Sequence, residues 1–189
     1  MNVIRTYFEQ SAPMSDHDWQ VFSSKLQKCQ FKKKTLVLKA GQTENYLSFM
    51  ETGMVRYFIP KEEDHELTFA FSFSGGFVSA YDSFVTQSPC IYQVETLADT
   101  VLWSIAYKDL QDIYATTLVG NTMGRYAAEN LFLKKSKREL SLLNDSVEQR
   151  YLNLFKEQPH LIRQIPLKYL ASYIGITPQA LSRIRKRIS

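Results

Sequence analysis

Hydrophobic positions recur along the chain with two different periods. From about residue 2 to 28 the spacing is helical. Ser15-Asp16-His17-Asp18 looks like a helix start, and Trp19, Phe22 and Leu26 follow at i, i+3 and i+7. From Phe31 the period shortens. Thr35-Leu36-Val37-Leu38, Tyr46 to Met50 and Val55 to Ile59 read as strands. Leu67, Phe69, Phe71 and Phe73 alternate with Thr68, Ala70 and Ser72, the pattern of a half-buried strand. Gln93 to Ile105 supplies one or two more strands. Turn glycines at 41, 53 and 75–76 punctuate this region. Together these features predict an antiparallel barrel or sandwich of roughly 70 residues.

After Tyr107 the strand signal stops. Lys108 to Thr116 reads as a short helix and Leu118 to about Leu143 as one long helix, with no proline from Leu118 to Gln158. Met123, Tyr126, Asn130, Leu133, Lys137 and Leu140 follow a 3-4-3-4-3 spacing, a coiled-coil-like seam with two polar members. Two readings stay open: the helix covers its own β domain, or it also meets the same helix of a second copy. Val119, Ala127 and Leu131 supply apolar contacts on another side. Lys134, Lys135, Lys137 and Arg138 read as a solvated or phosphate-facing end. Asp145 is placed to cap a further helix, with Glu148 completing a capping box and Val147, Tyr151, Leu154 and Phe155 as its apolar stripe. Pro159 is expected to end it, and Leu161 to Pro166 to be extended.

The last segment is the most informative. Leu167, Leu170, Ala171 and Ile174 lie on one face of a short helix. Gly175 suits the left-handed position beyond its end, Thr177 an N-cap and Pro178 the first position of a second helix, running to Ile188. On that helix Leu181, Ile184 and Ile188 share one side, while Gln179, Ser182, Arg183 and Lys186 share the other. An apolar back and a front of long polar side chains are what a helix-turn-helix presents to the major groove. Gln suits the adenine edge and Arg the guanine edge. Thr177 and the helix N-terminus suit a phosphate. An ordinary helical hairpin and a membrane-surface helix are the weaker readings. The second suffers from a narrow apolar side without Trp or Phe.

Charge supports a nucleic-acid partner. The 189 residues carry a net +4, and residues 145–189 alone carry +5, with eight Lys/Arg against three acids. The composition, 44% hydrophobic and 22% charged, is that of a globular protein with a real core. No run long enough to span a membrane and no N-terminal signal layout is seen, so a cytoplasmic protein is expected. Cys29 and Cys90 cannot form a disulfide framework and read as small core residues; His17, His65 and His160 read as surface residues. No metal cluster, nucleophile–base pair, paired carboxylates or phosphate-binding glycine loop appears. Neither an enzyme nor a cofactor is therefore expected.

With an N-terminal helix, glycine-punctuated strands, a long helix and the run from Leu167 to Arg185, the chain resembles the cyclic-AMP receptor and fumarate-nitrate regulator (Crp-Fnr) family, in the style of small Bacteroidetes regulators. The β-roll glycines Gly41 and Gly53 carry the resemblance in the first half. It implies an α+β fold: an antiparallel β-roll effector domain (1–117), a dimerisation helix (118–144) and a helix-turn-helix domain (145–189) without a wing hairpin. It implies a homodimer that binds inverted-repeat double-stranded DNA, with RNA polymerase as a further partner. Gln179 and Arg183 match the base-reading positions, Thr177 and Ser182 the phosphate contacts, with Lys168 and Lys186 as added DNA contacts.

The family's nucleotide-binding Glu and Arg align with Ala80 and near Cys90, which cannot do that chemistry, and no Arg or Lys lies between Lys61 and Lys108. Cyclic nucleotides are therefore not the expected effector. A sensor of another small molecule would be lined by Ser79, Ala80, Tyr81, Cys90, Tyr92, Tyr126 and Asn130. A protein-interaction module that has lost DNA binding is the other alternative.

Overall fold

A computed structural model of the chain describes residues 2–10, 13–61, 66–117 and 119–188. The elements run α1 (Asn2–Glu9), α2 (Asp16–Ser24), β1 (Gln27–Phe31), β2 (Leu36–Leu38), β3 (Tyr46–Thr52), β4 (Met54–Pro60), β5 (Glu66–Phe73), β6 (Phe77–Val78), α3 (Tyr81–Thr86), β7 (Gln93–Thr96) and β8 (Thr100–Ala106). They continue with α4 (Tyr107–Thr116), α5 (Gly120–Asn144), α6 (Val147–Glu157), α7 (Pro159–Gln164), α8 (Leu167–Ile174) and α9 (Pro178–Ile188). Packing divides the chain into two compact units: residues 1–57 with 71–129, and residues 58–70 with 130–189.

The strands form two four-stranded sheets, ordered β1-β8-β3-β6 and β2-β7-β4-β5. This is an open β-roll rather than a closed barrel. β8 is central to the first sheet. It pairs antiparallel with β1, Cys29 opposite Leu102, and with β3, Phe49 opposite Trp103. Ile4, Phe8, Phe22, Phe49, Ile105, Leu110, Ile113 and Met123 form the core of the first unit. Trp19 of α2 and Leu26 just beyond it pack against this core, so the three predicted apolar positions face inward with Phe22.

Four expectations need correction. The N-terminal helical stretch is two helices, and residues 27–28 already belong to β1. Gln27, Lys28 and Gln30 carry no apolar alternation, so pairing with β8 alone makes them a strand. In β5 the alternation is reversed at its start: Leu67 is 38% exposed and Thr68 1%. β5 is an edge strand, and the Thr68 N–H donates to Ser172 Oγ of α8 (2.8 Å), which draws Thr68 inward. Ser146, not Asp145, caps α6 by accepting from Gln149 N (3.2 Å); Asp145 accepts from Ser141 Oγ instead. Pro159 opens a helix rather than preceding extended chain, because at a first helical position its missing N–H costs nothing. The turn of α7 buries Leu161, and Ile165 just beyond it is buried too.

Cys90 is buried, Cys29 and His160 are half-buried and His17 is exposed; His65 and the expected helix start at Leu118 lie outside the described residues. No described helix is long and apolar enough to cross a membrane.

Gly53, between β3 and β4, has φ +117°, and a Cβ there would lie 2.7 Å from Thr100 Cα. Both the backbone angle and the space demand glycine. Gly53→Ala is expected to cost about 3 kcal/mol, combining left-handed strain with a clash against backbone. Urea unfolding of the variant beside the wild type measures this.

Candidate functional site

The α8–α9 pair and the turn between them grow from local rules. α8 buries Leu170, Ala171 and Ile174, and α9 buries Leu181. Each buried leucine or isoleucine here contributes roughly 1.5–3 kcal/mol, and the Ala171 methyl less. Gly175, at φ +84°, turns the chain. Its N–H donates to Ser172 O (3.0 Å) and that of Ile176 to Ala171 O (3.0 Å), satisfying carbonyls that the end of α8 leaves open. Thr177 Oγ1 accepts from Ala180 N (3.2 Å), the N-cap expected of it.

Two arginines complete this end. Arg138 of α5 donates to Tyr173 O and lies over the Tyr173 ring, 3.9 Å from its centroid. Arg150 of α6 donates through Nε to Ile174 O (3.0 Å) and through Nη1 to Asp145 O (2.8 Å). Cations at a helix C-terminus also match its dipole. The turn is therefore braced from two other helices. Arg138 is thus not part of a solvated end. Lys135 and Lys137 remain exposed as expected, although Lys137 pairs with Glu157 (2.8 Å) and Lys135 Nζ lies 5.1 Å from the Phe69 ring centroid. The sequence hid these roles, since an exposed and a bracing arginine look alike in a polar helix.

On α9, Gln179, Arg183 and Lys186 are exposed and Ser182 is half-buried. Thr177 is exposed at the N-terminus, and Lys168 at the start of α8, with Nζ 4.6 Å from the Tyr169 ring centroid. The six candidate contacts thus lie on α8, on α9 and in the turn between them. Arg187 pairs with Glu148, so not every cation of α9 faces solvent unpaired.

The seam on α5 divides. Met123, 4% exposed, lies in the core of the first unit, and Tyr126 packs half-buried near Tyr7, ring centroids 6.4 Å apart. Met123 therefore has no surface to offer a second copy. Asn130 is exposed. Further along, Phe132, Leu133, Leu140 and Leu143 are each more than half exposed. They make an apolar stripe along the exposed side of the helix, with Lys137 exposed beside it.

In the β-roll, the residues from 79 to 92 gather around α3. Ser79 Oγ donates to Tyr46 O (3.0 Å), Ala80 is fully buried, and Tyr81 is half-buried and stacks on Phe84. Cys90 Sγ donates to Tyr92 O (3.3 Å), and the Tyr92 hydroxyl donates to Asp82. Burial pushes the hydroxyls of Tyr57 and Tyr92 up, that of Tyr57 to about 12. Tyr126 sits with Tyr7 rather than with this group. The buried Arg56 is committed to Glu95 (2.7 Å). An apolar cavity of about 30 Å³ lies under Leu47, Phe77, Trp103 and Leu110, too small for a nucleotide. Among the described residues no group of three or more His, Cys, Asp or Glu could hold a metal.

Sequence reasoning missed Glu44. It is 8% exposed, and its carboxylate accepts from Tyr46 N (3.0 Å) and Ala80 N (3.3 Å). Nothing in the run Gly41-Gln42-Thr43-Glu44 signals burial, because the partner at residue 80 is set by the fold. Burial raises the carboxyl above the ordinary range, and amide bonds from Tyr46, Ala80 and Asn45 pull it back in part.

Comparison with known proteins places these features. Residues 28–117 match the family described as cyclic nucleotide-binding domain. Among solved structures, the chain is similar to the c-di-GMP responsive global regulator CLP of Xanthomonas campestris. The identity is 19% and the TM-score 0.69, over 92% of this chain and 91% of that one. It is likewise similar to a transcriptional regulator of the crp/fnr family from Eubacterium rectale, at 16% and 0.72 over 93% and 83%. FixK2 from Bradyrhizobium japonicum follows at 15% and 0.72, over 86% and 84%. No curated protein sequence matches the chain. The chain thus has the fold of these Crp/Fnr structures, and its residues 28–117 are similar to the cyclic nucleotide-binding domain family.

A raised carboxyl in the folded state binds its proton more readily than the unfolded chain does. Ionised Glu44 therefore costs stability at neutral pH, and that cost fades as pH falls toward the ordinary value of 4.5. Relative to Glu44→Gln, the wild type is expected to gain stability over that interval. Paired urea titrations across the range test it; parallel pH profiles would contradict it.

Proposed function

We propose that the chain is a sequence-specific DNA-binding transcriptional regulator that works as a homodimer in the cytoplasm, binds rather than catalyses, and has a β-roll that does not take cyclic nucleotides. The carrying observation is the exposed face of α9. Gln179 and Arg183 stand one turn apart near its N-terminal end, behind a turn braced by Arg138 and Arg150. A reading helix must be held rigidly for its side chains to discriminate bases, and that bracing supplies the rigidity.

The dimer reading rests on Phe132, Leu133, Leu140 and Leu143. Such a stripe on a helix finds its natural cover in the same stripe of a second copy. Two copies related by a twofold axis set their α9 helices about 34 Å apart in successive major grooves, so the operator is an inverted repeat. The reading against cyclic nucleotides rests on Ala80 and Cys90, both buried and neither able to pair with ribose or phosphate. Arg56, the buried guanidinium of the roll, is already neutralised by Glu95.

Selection of binding sites from random duplexes tests the proposal. The wild type is expected to enrich one inverted repeat. Arg183→Ala should lose roughly 1–3 kcal/mol per half-site and relax one base position. Lys186→Ala should weaken all sequences alike and lower the salt slope by about 1. Wild type that enriches no inverted repeat overturns the reading. For the dimer, placing Asp at both Leu133 and Leu140 should bury unpaired charge and halve the mass seen by sedimentation. An unchanged mass would assign the interface elsewhere.

A further inference from the structure

Among the described residues Glu44 is a buried carboxylate without a counter-ion. What opposes the cost of its burial is a set of backbone N–H groups, from Asn45, Tyr46 and Ala80; no Lys, Arg or His contributes. The titratable groups that face it are Tyr57 and Cys90, with the Asp82–Tyr92 pair one contact further. All of them are neutral or acidic. A charge taken from water in this way is expensive, and a fold that needed only to fill space would place an apolar side chain there. The carboxylate also joins two segments distant in sequence, the β2–β3 loop and the start of the 79–92 segment.

The backbone of Glu44 adds to the same junction. Its N–H donates to Ser83 Oγ (3.0 Å), and its carbonyl accepts from Gln87 Nε2 (3.3 Å). Nearby, Gly41 N donates to Cys90 O (2.7 Å) and Cys90 N to Gln42 O (2.8 Å). The loop from 41 to 45 is thus laced to the segment from 80 to 90, and at its centre stands a charged group received by amides alone. Converging N–H groups around a carboxylate constitute an anion cradle.

We propose that Glu44 is an intramolecular ligand: its carboxylate fills an anion cradle made by the amides of Asn45, Tyr46 and Ala80, and closes the 79–92 segment without any external anion. The β-roll then keeps a site for a small carboxylate and occupies it with its own chain. An external anion is excluded by the effective concentration of the tethered one.

Replacing Glu44 with Ala removes a methylene and a carboxylate, which together have the size and charge of acetate. Amide hydrogen exchange of Tyr46 and Ala80 in the full chain reads the cradle directly. Glu44→Ala is expected to speed both amides roughly tenfold or more. Sodium acetate at tens of millimolar should restore their protection in a saturable way, while equal sodium chloride and the bulkier butyrate should not. The wild type should be indifferent to all three. Acetate that does no more than chloride, or amides already protected in Glu44→Ala, overturns the proposal.

Should Glu44→Ala fail to fold, Glu44→Gln serves. Its amide nitrogen cannot accept, so one of the two amides should lose protection while the other keeps it. Full wild-type protection of both would show that the second carboxylate oxygen is dispensable, against the proposal. The exchange readout involves no DNA, so its failure and that of the regulator reading are separate results.

Discussion

Every buried backbone N–H and C=O must find a partner, and this constraint shapes the molecule wherever an element ends inside it. The end of α8 leaves carbonyls open at Tyr173 and Ile174, and Arg138 and Arg150 donate to them. The amides at Tyr46 and Ala80 point at Glu44. The edge of β5 offers the carbonyl of Glu66 and the N–H of Thr68, and Ser172 answers both. In each place a polar side chain from a distant part of the sequence supplies what secondary structure does not. Apolar burial gathers the elements, and these bonds fix how they end.

The α8–α9 pair with its turn was the most legible part of the sequence because its determinants are local. The stripe Leu170-Ala171-Ile174, the left-handed Gly175 and the Thr177-Pro178 start act within a few residues of one another. Their structure follows the reading position by position. The strands β3 and β4 were legible for a similar reason, since Gly41 and Gly53 bound their apolar runs, and β7 and β8 showed as β-rich apolar stretches. β1 was not, because Gln27-Lys28-Cys29-Gln30 becomes a strand only by pairing with β8, some seventy residues away. α7 was hidden by a proline that opens helices as readily as it ends them.

The candidate site was legible in its exposed members and opaque in its supports. Gln179, Arg183 and Lys186 announce themselves by spacing. Arg138, Arg150 and Glu44 do not, because charge at a surface and charge serving buried backbone are written with the same residues. The seam on α5 shows the middle case. Its heptad spacing was visible, yet the fold turns Met123 into its own core and leaves Leu133 and Leu140 exposed beside Phe132 and Leu143. Spacing tells which residues share a helix face, but the fold decides which way that face looks.

Ser172 has a consequence beyond its two hydrogen bonds. Its hydroxyl donates to Glu66 O (2.9 Å) and accepts from Thr68 N (2.8 Å) on the open side of β5. A carbonyl and an N–H two residues apart on an edge are what an added strand would take up. One hydroxyl therefore imitates a neighbouring strand at the start of this edge. In a segment as rich in phenylalanine as Phe69 to Phe73, that occupancy guards against edge-to-edge aggregation. A residue that belongs to α8 in the folded chain is also, for the strand beside it, a protection against self-association.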